Sequence, residues 1–164
     1  MLKRFYPDEY MDSVDDINWQ RYYEQGIRGI IFDIDNTLVP HGAPATQEAI
    51  AFFEKLHQMG FDTCLISNNQ EPRVKPFADA VQSKYIFNAH KPSPKNYIKS
   101  MELMNTTKET TLFVGDQIFT DIWGANRTGL RTVMVKQVDK KEEIQIVLKR
   151  IPEKFILWRW RKQK

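Results

Sequence analysis

The chain has 164 residues, 41% of them apolar and 27% charged, with a net charge of +3 and a single cysteine. That length and balance fit one folded domain with a core of useful size, and exclude both a disordered chain and a disulfide-built one. No apolar run reaches the roughly 18 residues of a membrane span, and "MLKRFYPDEY" lacks the apolar stretch of a secretory signal, so a cytoplasmic location is expected.

The positive charge is uneven. From Lys149 onward seven Lys or Arg face one acid, Glu153, which leaves 17 basic against 20 acidic residues elsewhere. The basicity therefore belongs to the last 16 residues.

In chain order, the segment before Gly26 is rich in Tyr and Asp and reads as one or two short helices, with Asp15 or Asp16 as N-cap and Gly26 as stop. "IRGIIFDI" (27–34) lacks strict alternation and suits a strand buried on both faces. Thr46 is the N-cap of a helix with one apolar stripe that ends at Gly60. "FDTCLIS" (61–67) is a second strand. "EPRVKPFADAV" (71–81) is a helix whose Pro72 suits the first turn, while Pro76 predicts a kink or a delayed start. Further strands are expected at 85–89, 110–115 and 131–136, with helices over 95–104 and within 116–129. A last helix is expected over 140–151.

Strands alternating with helices of this length imply right-handed βαβ units, hence an α/β fold with a Rossmann-like, doubly wound parallel sheet. The expected organisation is a helical extension over 1–26, a core domain over 27–148, and a basic aromatic tail over 149–164. Ligands of such sheets bind beyond the carboxyl ends of the strands. Asp33 and Asp35, then Ser67, Asn68 and Asn69, then Lys91, then Asp116 and Asp121 all sit at those ends. Clustered carboxylates need a cation, and an all-oxygen ligand set favours a hard one such as Mg²⁺. Lys91 and Ser67 are suited to hold phosphate oxygens.

An EF-hand-type calcium loop needs Gly and Glu where Leu38 and Pro44 stand. A cysteine phosphatase loop starting at Cys64 needs Arg where Gln70 stands. Cys64 is better read as a small apolar residue of the second strand.

"DIDNT" (33–37) resembles the first motif of the haloacid-dehalogenase-type phosphatases. "LISN" (65–68), "KP" (91–92) and "GDQIFTD" (115–121) resemble their remaining three, in order and spacing. The wording is similar to subfamily IIIA, a group akin to the mitochondrial phosphatidylglycerophosphate phosphatases. The resemblance implies a Mg²⁺-dependent phosphomonoesterase in which Asp33 is the nucleophile and Asp35 the general acid and base. It also implies that Asp35 lends its carbonyl to the metal, Thr37 orients Asp33, and Ser67, Asn68 and Lys91 bind phosphate. Asp116 is implied as a metal ligand, with Asp121 behind it or reaching the metal through water.

Only 33 residues separate Asp33 from Ser67 and 23 separate Ser67 from Lys91, too few for an inserted cap domain. An open crevice suits a phosphate carried on something large, such as a phospholipid headgroup. The tail "LKRIPEKFILWRWRKQK" interleaves Trp158, Trp160, Phe155, Ile156 and Leu157 with Lys and Arg, a composition favoured at anionic membranes. Two alternatives stay open: a soluble phosphatase for a sugar, nucleotide or protein phosphate, and an RNA- or ribosome-associated binder using the basic tail.

Overall fold

The computed structural model describes residues 1–140 and 144–164. Six parallel strands form one sheet: β1 (Glu9–Met11), β2 (Gly29–Phe32), β3 (Asp62–Ile66), β4 (Lys84–Ile86), β5 (Thr111–Gly115) and β6 (Arg131–Val135), in the order β1-β6-β5-β2-β3-β4. Helices α1 (Trp19–Glu24), α2 (Gln47–Met59), α3 (Glu71–Val81), α4 (Lys95–Met104), α5 (Trp123–Thr128) and α6 (Ile144–Arg161) complete the fold. The expected α/β class and doubly wound parallel sheet are present, and no cap domain is inserted among the described residues.

Every residue of β2 and β5 is buried, which is why their sequences are continuous apolar runs rather than alternating ones. One apolar layer gathers Trp19, Tyr22, Phe32, Phe53 and Phe61 from α1, β2, α2 and the turn before β3. The opposite layer gathers Ile31, Cys64, Tyr97, Met101 and Phe113. Cys64 is fully buried, and burial pushes its thiol up to about 11. It is packing material and not a nucleophile.

Local signals account for most boundaries. The Thr46 side chain accepts from the Ala49 amide at 3.1 Å, and Gly60 closes α2 in the left-handed region at φ 102°, a conformation that favours glycine. Four differences from the sequence reading have physical causes. The N-terminal segment is not wholly helical: Glu9–Met11 is an edge strand whose only sheet partner is β6. Asp15 and Asp16 lie inside a 3₁₀ turn capped by Ser13, and Asn18 caps α1 by accepting from the Arg21 amide. Pro76 neither delays nor interrupts α3: it forgoes one helical bond, to the Pro72 carbonyl, but the helix is held by its buried face of Val74, Phe77, Ala78 and Val81. Finally, the last helix is longer than expected and runs through Pro152 to Arg161, so the anticipated boundary at 148/149 falls inside it. The part of that expected helix at residues 141–143 lies outside the described residues.

No helix among the described residues is long and apolar enough to cross a membrane.

Candidate active site

The site starts where β2 ends. The Asp33 amide still bonds to Val114 of β5 at 3.0 Å, so its backbone is fixed by the sheet. The chain then folds back on itself. Asn36 takes a left-handed conformation at φ 60°, and the Thr37 and Leu38 amides both bond to the Ile34 carbonyl. Asn tolerates that conformation better than most residues, because its short side chain bonds locally. The turn returns Thr37 over Asp33, and its hydroxyl lies 3.2 Å from Asp33 Oδ2 and 3.1 Å from Asp116 Oδ1.

β5 delivers Asp116 from the neighbouring strand end, and a π-helical turn at Ile118–Ile122 brings Asp121 back beneath it. Asp121 Oδ2 accepts from the amides of Asp116 and Gln117 at 3.2 and 3.1 Å. Gly115 is required by this close approach: a Cβ there would lie 2.7 Å from Asp121 Cβ, Cγ and Oδ2. The Lys91 ammonium bridges the two elements, donating to Asp33 Oδ1 and Asp121 Oδ1 at 2.7 Å each.

Asp33, Asp116 and Asp121 offer oxygens within 4.8 Å of one another, all buried. Against these three carboxylates stand two cations, Lys91 and Arg150, which donates to Asp116 Oδ2 at 2.7 Å. Arg150 is also paired with the buried Glu153 at 2.9 Å, so among the described residues the acids of the site outnumber its cations. Burial, with Asp121 close by, raises the Asp33 carboxyl to about 6 despite Lys91. Burial, with Asp33 and Asp121 close by, also pushes Asp116 well above the carboxylate range despite Arg150. Burial works against the Lys91 charge too, but Asp121 and Asp33 outweigh it and hold the ammonium protonated. One ammonium is shared by two acids, so Lys91 stays charged while Asp33 remains under-compensated. Buried oxygens with a surplus negative charge fit a hard divalent cation such as Mg²⁺. Asp33 and Asp116 have the more available lone pairs, since Asp121 already accepts from three donors.

The remaining predicted residues are nearby but differently engaged. The Asp35 carboxylate is outside the acidic triad. It accepts from Arg73 at 2.9 Å, from the Asn69 side-chain amide at 2.8 Å and from the Gly42 amide at 2.7 Å. Burial raises its pKa, but the Gly42 bond and Arg73 outweigh this and hold it below the ordinary carboxylate value. The Ser67 hydroxyl is buried and accepts from the Asn69 amide at 3.1 Å. Asn68 clamps the Lys91 backbone, accepting from its amide at 2.8 Å.

Two side chains at the site, Arg73 and Arg150, were not singled out from sequence. Arg73 carries no local signal, because its contact to Asp35 spans 38 positions. Arg150 reaches Asp116 from α6, and Glu153 holds it there at 2.9 Å while accepting from the Ile118 amide. One hint existed: Glu153 is the single acid in the basic tail, and it is buried.

A parallel sheet carrying an acid nucleophile candidate, a bridging lysine and a carboxylate cluster at adjacent strand ends defines a phosphotransfer-type hydrolase site. The comparisons agree: residues 44–129 match the model of the haloacid dehalogenase-like hydrolases, and the chain belongs to that family as one of its phosphatases. It is 36% identical over 159 residues to "Probable phosphatase YqeG" of Bacillus subtilis, covering 96% of this chain and 92% of that one. It is 27% identical over 162 residues to the chloroplastic/mitochondrial phosphatidylglycerophosphate phosphatase 1 of Arabidopsis thaliana, covering 88% of this chain but only 44% of that longer protein. Among solved structures, NagD from E. coli K-12 aligns at TM-score 0.52 and 14% identity, covering 74% of this chain and 91% of that one. The cobalt-bound deoxy-D-mannose-octulosonate 8-phosphate phosphatase of Haemophilus influenzae aligns at 0.52 and 12%, covering 69% and 80%. At such identities the structural likeness speaks for the fold alone.

Proposed function

We propose that this phosphatase is Mg²⁺-dependent and works through an aspartyl-phosphate on Asp33. The observation that carries the reading is the buried pair of Asp33 and Lys91, 2.7 Å apart, beside a buried cluster in which acids outnumber cations. An Asp33 oxygen attacks phosphorus in line, the ester P–O bond breaks, and the leaving oxygen takes a proton from Asp35. Water then adds to the phosphoryl group, giving its proton to Asp35, and the P–O bond to Asp33 breaks to release inorganic phosphate. Mg²⁺, held by Asp33, Asp116 and the Asp35 carbonyl, would offset the phosphate's charge. Lys91 offsets the rest of that charge, and Thr37 fixes the attacking carboxylate. Ser67 contributes a hydroxyl to the phosphate, and Asn68 acts by holding Lys91 in place.

Asp35 is ionised while Arg73, Asn69 and Gly42 donate to it, so the acid step requires exchange of those donors for the leaving oxygen. The proposed substrate is a phosphomonoester on a phospholipid headgroup, with phosphatidylglycerophosphate the leading candidate. Support comes from the similarity to the plant enzyme and from the crevice, over which no cap is inserted among the described residues. Phosphate release from an aryl phosphate and from phosphatidylglycerophosphate in mixed micelles tests both levels. The expected result is turnover of both, faster on the lipid, and none by Asp33→Asn. Faster turnover of soluble sugar phosphates would remove the lipid clause, and unchanged turnover by Asp33→Asn would remove the nucleophile.

A further inference from the structure

The last helix has two apolar faces, and only one of them is used by the fold. Inward, Ile156 and Leu157 pack beside Ile118, Ile122 and Met134, and Glu153 and Arg150 bond to the 116–118 loop. Outward, Ile144, Val147, Leu148, Ile151, Phe155 and Trp158 are 42–72% exposed. Those six positions fall within an arc of about 100° on a helix of 3.6 residues per turn, centred opposite the packed face. Among the described residues nothing covers this stripe. A contiguous exposed stripe of this size on a helix that is already anchored marks a contact surface rather than scattered surface apolarity.

We propose that this outward face of α6 docks on an anionic lipid bilayer. Charge selects the partner. Lys154 and Arg159 flank the stripe on either side and Lys162 extends it at one end, its ammonium 4.2 Å from the Trp158 ring centre. The one acid among the described residues of this helix, Glu153, is buried on the opposite face, so the described charges that edge the Ile151–Trp158 half of the stripe are positive. An apolar stripe ending in an aromatic pair and edged by Lys and Arg is the pattern of a helix lying in a headgroup layer. A second copy of the chain would place two such basic rims against each other, which is unfavourable. Nucleic acid would have little use for a stripe that is aliphatic along its first half, from Ile144 to Ile151, and whose two aromatics, Phe155 and Trp158, already stack on each other at 5.9 Å. The docking face assigned in this way includes Trp158 but excludes Ile156, Leu157 and Trp160, which turn toward the protein.

The proposal deepens the lipid-headgroup reading and rests on it for its purpose. The helix is about 10 Å across, so a bilayer on one side lies about one helix diameter from Asp116 on the other. The test uses the whole chain and vesicles of phosphatidylcholine with or without 30% phosphatidylglycerol (roughly a cytoplasmic-leaflet charge). Flotation should show binding only to the anionic vesicles, with Trp158 fluorescence quenched by brominated lipid. The double substitution Ile151→Glu and Phe155→Glu should weaken binding at least tenfold while aryl phosphate turnover stays unchanged. Equal binding by the double variant, or no binding by the wild type, overturns the proposal. So does a dimer or an RNA complex that the same double substitution abolishes. Asp33→Asn should bind vesicles like wild type, so failure of the catalytic reading and failure of this one are seen separately.

Discussion

The charge shortfall around Asp33 makes a prediction about stability that is independent of turnover. A carboxyl moved from 3.8 to about 6 carries about 3 kcal/mol of preference for its protonated form in the folded state. The folded value lies above the unfolded one, so the stabilising contribution is complete below pH 3.8 and is lost as the pH rises through about 6. At pH 8 without metal, the ionised Asp33 therefore costs the fold up to about 3 kcal/mol. Asp33→Asn removes that cost, keeps an oxygen for the Lys91 bond, and takes one negative charge from the cluster. In chelator at pH 8 the variant should melt higher by roughly 5–10 °C, with the gap closing toward pH 4. Added Mg²⁺ should narrow the gap at pH 8, because binding stabilises only the folded wild type. Thermal unfolding followed by circular dichroism from pH 4 to 8 measures all three. If Asp33→Asn melts at or below the wild type at pH 8 in chelator, the acidic cluster is not short of positive charge and the case for a cation there collapses.

Three further outcomes are expected. Arg73→Met removes a donor that keeps Asp35 ionised, so the Asp35 pKa rises; the basic limb of the pH–rate profile should move to higher pH, and an unmoved limb would separate Asp35 from the acid step. Gly115→Ala sets a Cβ 2.7 Å from Asp121 and should cost about 1–3 kcal/mol by overpacking, read as a lower urea midpoint. Glu153→Ala strips the Ile118 amide of its acceptor and Arg150 of one of its acceptors, and should cost about 1–3 kcal/mol; an unchanged midpoint would mean α6 is not anchored through this residue.

What could be read from the sequence divides along a physical line. Thr46 and Gly60 mark the ends of α2 because capping is local chemistry between residues a few positions apart. The gathering of Asp33, Lys91, Asp116 and Asp121 was legible because a parallel sheet forces consecutive strand ends to one side. β1 was not, since three residues containing Glu9 become a strand only by pairing with β6, more than 120 positions away. The direction of the Asp35 side chain was equally hidden: Arg73 and Asn69 meet it through the packing of α3 and the loop after β3. The composition of the last 16 residues suggested a tail, and only the packing of Ile156 and the Glu153–Arg150 pair shows that they continue a docked helix. That docking is also what sorts its apolar residues into an inward and an outward face.

The central claim is the covalent step at Asp33, and trapping it is the most direct measurement. Wild-type protein mixed with Mg²⁺ and an aryl phosphate, quenched in acid within the first turnover and digested, should yield a phosphorylated peptide containing Asp33. The adduct should disappear at neutral pH as phosphate is released. A protein that turns over the substrate yet never carries phosphate on Asp33, or that carries it on another residue, would contradict the account.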